Sequence, residues 1–274
     1  MPGTLFIIAT PIGNLGDITY RAVETLQQVD LIVSEDTEVS MRLLQRYAVT
    51  KPMKQCNAGN ESETVPYITD LLLNGKNIAY ISEAGTPAIS DPGYLLARSA
   101  LSHDISVVPI PGVSACMTAL MAAGLPCDTF IFLGFFPKKE NEMHDFFTSL
   151  ITCDKSTVTY VSVHKIDRFL QIGQTILGDR LLVIARELTK LHEEFIRGTF
   201  SELVHNNFTR KGEFTVIIAP SDRKSPVVSD EILFQRADEL LAENGMKKTA
   251  HMIAEEYGLK KNDVYEKLIH NEKK

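Results

Sequence analysis

The stretch Leu5-Phe6-Ile7-Ile8-Ala9-Thr10-Pro11-Ile12-Gly13-Asn14-Leu15-Gly16-Asp17 decides the fold class. A short β-rich run stops in a Pro/Gly turn and leads into a helical stretch at 20–28, the kind of junction where α/β proteins build ligand sites. Gly13, Asn14 and Gly16 permit positive φ, and a glycine lets a ligand approach the main chain with no Cβ in the way. The turn lacks both the Gly-x-Gly-x-x-Gly of dinucleotide folds and the Gly-Lys-Ser/Thr ending of a phosphate loop. An ordinary β-α turn is the competing reading.

Outward from this turn the pattern repeats. Strands are expected at 5–9, 31–34, 77–82 and 106–110, and helices at 20–28, 40–47, 65–73 and 94–102. That alternation implies a largely parallel sheet covered by helices on both faces. Pro111-Gly112 breaks the chain before a small-residue helix at 114–123. Strands at 130–134, 157–162, 181–185 and 215–219, separated by longer connections, suggest a second α/β domain with a mixed sheet. The expected organisation is one α/β domain at 1–112, another at 113–220, a Ser/Pro-rich linker at 220–226 and a helical tail at 227–274. Within the tail, helices at 249–257 and 261–269 about a turn at Gly258 have helix-turn-helix spacing. Lys247, Lys248, Lys260, Lys261 and Lys267 could meet phosphates there. A packing or dimerisation module with a solvated basic face fits the charge pattern as well.

With 274 residues and 44% hydrophobic composition, the chain can build two ordinary cores. No apolar run approaches the roughly 20 residues needed to span a bilayer, and no basic segment followed by a long apolar stretch opens the chain. A soluble intracellular protein without a membrane partner is expected. Cys56, Cys116, Cys127 and Cys153 are widely spaced, which suggests neither a disulfide framework nor a zinc site, so no metal is expected. The net charge of −7 argues against a general nucleic-acid coat protein and leaves local basic patches open.

Two further segments follow expected strands. Glu35-Asp36-Thr37 would project carboxylates from the ligand edge of the sheet, unless Asp36 or Thr37 caps the next helix. Glu83-Ala84-Gly85-Thr86-Pro87-Ala88-Ile89-Ser90-Asp91-Pro92-Gly93 combines carboxylates, hydroxyls, glycines and prolines in a rigid, shaped loop. Pro111-Gly112-Val113-Ser114-Ala115 repeats the logic. Three such loops on one edge suit a cofactor held through main-chain groups.

In this order the motifs closely resemble the tetrapyrrole-methylase-like class of S-adenosylmethionine-dependent methyltransferases. Ala-Gly-Leu-Pro at 123–126, Gly-Phe-Phe-Pro-Lys at 134–138, Ala-Arg-Glu-Leu-Thr-Lys at 185–190 and Arg-Lys-Gly-Glu-Phe at 210–214 are similar to its bacterial ribosomal RNA branch. The resemblance covers about residues 4–220, and the tail is similar to that branch's extra helices. It implies two α/β domains with S-adenosylmethionine in the cleft between them, a homodimer, and the small ribosomal subunit as partner. The implied reaction is 2′-O-methylation of a cytidine in 16S ribosomal RNA. Carried over by position, Pro11, Ile12, Gly13, Gly85, Thr86, Ile89, Ser114, Ala115 and Ala185 would contact the cofactor.

The branch differs from this chain on the nucleotide side. Glu38 stands where it has Arg, Gly59-Asn60-Glu61 where it has His-Asn-Glu, and Val161 where it has Glu. A ribose hydroxyl is a poor nucleophile while protonated, so a base or a stabilising charge would help. Glu35, Asp36, Glu187, Lys190, Lys211 and Glu213 are the candidates, with the two lysines acting as cations on an oxyanion or phosphate. As isolated lysines they would otherwise be solvated surface groups. Lys138, Lys165 and Arg210 join the tail lysines as RNA-contact candidates, and Phe135, Phe136 and Tyr160 could stack on a base or pack in a core. A methylase of a small tetrapyrrole-like substrate and a non-catalytic ribosome-assembly binder remain the alternatives.

Overall fold

The computed structural model describes residues 1–222, 230–241, 244–257, 259 and 261–272. Its larger compact unit comprises Met1–Thr148 and Lys155–Pro220. The unit begins with β1 (Thr4–Ile8), α1 (Tyr20–Gln28), β2 (Leu31–Ser34), α2 (Thr37–Arg46), β3 (Met53–Gln55), α3 (Glu61–Leu73), β4 (Ile78–Ile81), α4 (Tyr94–Ser102) and β5 (Ser106–Ile110). The strands pair in the order β3-β2-β4-β1-β5, and each pair is parallel. All five carboxyl ends therefore share one edge.

Strand periodicity distributes the core over both faces. Leu5, Val33, Ile78 and Tyr80 pack with Ile68 and Leu72 of α3 and Leu96 of α4. Ile8, Ile32, Ala79 and Ile81 pack with Ala22 and Leu26 of α1 and Leu44 of α2. Helix α3 starts four residues before the sequence-based expectation of 65–73. Glu61 and Glu63 occupy its first turn, where carboxylates complement the helix dipole, and the helix continues through Pro66 despite that residue's missing N–H.

The second sheet uses α5 (Ala115–Ala123), β6 (Phe130–Phe135), α6 (Glu140–Ser149), β7 (Ser156–Val161), α7 (Ile166–Leu177), β8 (Leu181–Arg186), β9 (Glu194–Thr199), α8 (Phe200–His205) and β10 (Phe214–Ile218). Its order is β6-β7-β10-β8-β9. It is mixed: β6 and β7 run parallel, and the other pairs are antiparallel. The long connections expected from sequence thus contain α6, α7, β9 and α8. Small residues Cys116, Ala119 and Ala123 let α5 lie close on Val158, Val183 and Ile217. Elsewhere in this half Phe136, Phe147, Phe169 and Phe200 form a chain of ring contacts.

A second compact unit comprises Ser149–Asp154 and Ser221–Lys274. Its helices α9 (Asp230–Leu241), α10 (Met246–Tyr257) and α11 (Lys261–Glu272) enclose Leu233, Ala237, Ala250, Ile253, Ala254, Val264 and Leu268. Residues 223–226 of the expected linker, the expected tail boundary at 227 and the turn at Gly258 lie outside the described residues. Among the described residues no helix is long and apolar enough to cross a membrane.

Packing of α7 on α8 makes a prediction. A Cβ at Gly173 would lie 2.2 Å from a Phe200 ring carbon, so Gly173→Ala overpacks this contact and should cost about 1–3 kcal/mol. Urea unfolding should show a lower midpoint with an unchanged slope.

Candidate active site

The loops leaving the parallel sheet are tied to one another. Thr10 N donates to Gly85 O at 2.8 Å, and Gly85 N donates to Thr10 O at 3.0 Å. Thr86 Oγ1 donates to Val113 O at 3.1 Å. Gly85 adopts φ +78°, and a Cβ there would lie 3.3 Å from Ile12. Only glycine meets both demands without strain. From the second sheet, Thr189 Oγ1 accepts from Asn14 N at 3.1 Å, which fixes the end of β8 against the first loop.

These loops and β6, β7 and β10 surround a cavity of about 480 Å³, within the range of small-molecule sites. Ile12, Gly85, Thr86, Ile89, Ser114 and Ala115 line it, six of the nine expected cofactor contacts. Pro11 and Gly13 lie off the wall, Pro11 buried and Gly13 against the Lys190 side chain. Ala185 is fully buried, and its β10 partner Thr215 forms the wall instead.

Four acidic residues, Glu35, Glu83, Asp91 and Glu213, line the wall. Burial raises the Glu35 pKa above its ordinary value, with Asp91, Glu83 and Asp36 adding repulsion. Burial pushes Asp91 up to about 6 against the opposing hydrogen bond from Ser82, and Glu83 adds repulsion. Phe135, also on the wall, is 62% exposed and meets the Tyr160 ring edge-on with 5.3 Å between centroids. Burial pushes the Tyr160 phenol up to about 12.

The remaining catalytic candidates divide differently. Asp36 is the N-cap of α2, accepting from Glu38 N and Val39 N, so its carboxylate is spent on the helix. Lys190 Nζ donates to Glu187 at 3.0 Å and to Glu213 at 2.8 Å. Burial opposes ionisation of Glu187, but hydrogen bonds from Lys190 and from Glu213 N outweigh it and hold the carboxyl below its usual range. Burial likewise opposes the Lys190 charge, and its two carboxylate partners raise its pKa. Lys211 is exposed next to the wall residue Gly212.

Of the RNA candidates, Lys138, Lys247, Lys248 and Lys261 are exposed. Lys165 donates to Phe136 O at 3.1 Å, and burial together with Lys138 lowers its pKa. Arg210 is a structural clasp: it pairs with Asp167, donates to Asn206 O and Phe208 O and stacks on Phe208. Lys267 pairs with Asp230, and Lys260 lies outside the described residues. Glu83, Asp91 and Thr215 are wall residues absent from the sequence-based candidates.

Among the described residues no group of side chains could hold a metal ion. The cavity does suit S-adenosylmethionine, because cationic sulfonium and ammonium groups match the acidic wall while Ile12, Ile89 and Phe135 offer apolar surface.

The model of the Tetrapyrrole (Corrin/Porphyrin) Methylases matches residues 4–204. The chain is 42% identical to the ribosomal RNA small subunit methyltransferase I of Haemophilus influenzae, covering 100% of this chain and 99% of that one. Its counterpart from Synechocystis is 41% identical, with 96% of each chain covered. Among solved structures, a diphthine synthase superposes with a TM-score of 0.61 at 12% identity, over 79% of this chain and 89% of that one. A cobalt precorrin-4 methyltransferase superposes with a TM-score of 0.58 at 22% identity, over 79% of this chain and 94% of that one. These two structures support the fold alone.

The Lys190 cluster gives a pH-dependent prediction. Lys190→Ala should lower stability at pH 7 on the order of 1 kcal/mol. The Glu187 contribution is present above the ordinary value of 4.5 and is lost as pH falls through the lower folded-state value. Thermal melts of variant and parent should therefore differ at neutral pH and converge as the pH is taken below the ordinary carboxylate range.

Proposed function

The chain belongs to the tetrapyrrole methylase family, and from that premise we propose that it methylates 16S ribosomal RNA of the small ribosomal subunit, at the 2′-hydroxyl of a cytidine ribose. The observation that carries this reading is similarity along the whole chain, tail included, to ribosomal RNA small subunit methyltransferases. The proposed setting is the cytoplasm, and the proposed assembly is a homodimer.

Ile12, Gly85, Thr86, Ile89, Ser114 and Ala115 would hold S-adenosylmethionine, which when bound supplies an electrophilic methyl group. The chain's own task is to place an acceptor hydroxyl in line, since positioning can supply much of the barrier reduction. Cross-tied loops keep the wall rigid for that purpose. The half-exposed Phe135 ring offers a face for a base outside a duplex, and Lys211 lies beside the wall where it can meet phosphate. Exposed Lys247, Lys248 and Lys261 in the tail would add contacts to the RNA backbone.

Mass spectrometry of 16S RNA from cells with and without the protein should show one methyl group lost from a cytidine ribose. A methyl group recovered on the base after glycosidic cleavage contradicts the reading. Truncation after Pro226 should leave cofactor affinity within about threefold. It should weaken subunit binding and flatten its log-log salt slope by about 2, because each phosphate contact that forms releases about one counterion and the truncated chain forms fewer. Collapsed cofactor affinity with intact subunit binding would assign the tail to structure.

A further inference from the structure

Methyl transfer to a hydroxyl leaves a proton to be placed. The new O–C bond forms as the C–S bond breaks, the sulfur retains that electron pair, and the oxygen must release its proton to a base. The four carboxylates on the cavity wall are not equivalent for this purpose. Glu213 is 82% exposed and paired with Lys190. Glu35 accepts a hydrogen bond from the Glu83 backbone, and Glu83 itself is exposed.

Asp91 is held differently. It is half-buried in a loop where Ala88 and Ser90 both adopt φ +66°, a left-handed conformation that costs non-glycine residues energy and collects at functional sites. Contacts on each side maintain that loop. Ala88 N donates to Pro92 O at 3.2 Å, and Gly93 N donates to Glu61 Oε1 at 3.3 Å. The Ser90 hydroxyl fits beneath Gly134, at φ +66°, where a Cβ would lie 3.3 Å from it. The Ser82 hydroxyl donates to Ala84 O at 3.4 Å and favours the ionised form of Asp91.

We propose that Asp91 is the general base that accepts the proton of the acceptor hydroxyl and then releases it to solvent. The proposal rests on the cavity being the methyl-transfer site. Glu35 at the end of β2, Glu83 at the end of β4, Tyr80 within β4 and Tyr160 on β7 share the electrostatic environment of Asp91. Burial disfavours its ionised form, as does Glu83, and Ser82 favours it. With a pKa of about 6, Asp91 is ionised at neutral pH and remains basic enough to take a proton.

The test compares full-length wild type, Asp91→Asn, Asp91→Glu and Ser82→Ala on subunits from cells lacking the protein. The single-turnover methylation rate should rise with pH up to about 6 in wild type. Asp91→Asn should lower it about 100-fold or more and abolish that acidic limb, while calorimetric cofactor affinity stays within about threefold. Asp91→Glu should restore part of the rate, and Ser82→Ala should move the limb to higher pH. Carbon-13 NMR of the Asp91 carboxyl in the whole cofactor-free protein should show the same titration without turnover. A near-wild-type rate in Asp91→Asn, or a loss confined to cofactor affinity, overturns the role of Asp91. Wild type that binds cofactor and leaves the subunits unmethylated overturns the functional reading instead, and the role of Asp91 with it.

Discussion

The reciprocal pair of backbone hydrogen bonds between Thr10 and Gly85 is the constraint from which the cavity follows. Strands β1 and β4 are neighbours in the parallel sheet, so their outgoing chains leave the same edge side by side. Pinning them there makes a wall from what would otherwise be two mobile turns. Thr86 then fastens the wall to Val113, and Asn14 fastens it to Thr189 of the second sheet. The Thr10–Gly85 tie uses main-chain groups alone, whereas the other two need the hydroxyls of Thr86 and Thr189. The absence of a Cβ at Gly85 is what the arrangement cannot lose.

Charge is sorted around that frame. Lys190 neutralises Glu187 and Glu213 on one side, whereas Glu35 and Asp91 on the other side have raised pKa values. Desolvation without a cationic partner has opposite consequences from ion pairing. The first pushes the Asp91 carboxyl up to about 6, and the second holds the Glu187 carboxyl below its usual range. The same wall therefore contains a rigid strut and a titratable region.

Much of this was legible before the fold was known. The parallel half announced itself through short apolar runs ending in Gly/Pro turns, and the bounds of α1, β2, α4 and β5 agree with the sequence reading. The second half was harder because its helices do not sit between obvious parallel strands. Ile166, Phe169, Leu170 and Leu177 supply a buried helical stripe in α7, but it was read as part of a connection. Edge strand β9 mixes charge with apolar residues in Glu-Phe-Ile-Arg-Gly-Thr, which weakens the alternation signal. Side-chain roles were least legible. Asp36 could be a cap or a catalyst by residue type alone, and only the hydrogen bonds to Glu38 N and Val39 N decide it. Arg210 carries a charge suited to phosphate, yet Asp167 and two carbonyls occupy it. Burial of Asp91 depends on residues distant in sequence, so no local pattern could distinguish it from Glu83.

An acidic cavity creates a problem for a polyanionic substrate, and the distribution of cations addresses it. Phosphates would be repelled by Glu35, Glu83 and Asp91 if the backbone entered deeply. An exposed cation, Lys211, instead stands immediately before the wall residue Gly212, and Lys138 is exposed near Lys165. Fields from exposed charges decay over about 8 Å at physiological salt, so rim lysines can hold phosphates while the interior remains acidic. Under the proposed function, such an arrangement would admit a sugar edge and a base, which carry no charge, and keep the backbone outside. A net charge of −7 is then compatible with an RNA substrate, because affinity depends on where the lysines stand rather than on their sum.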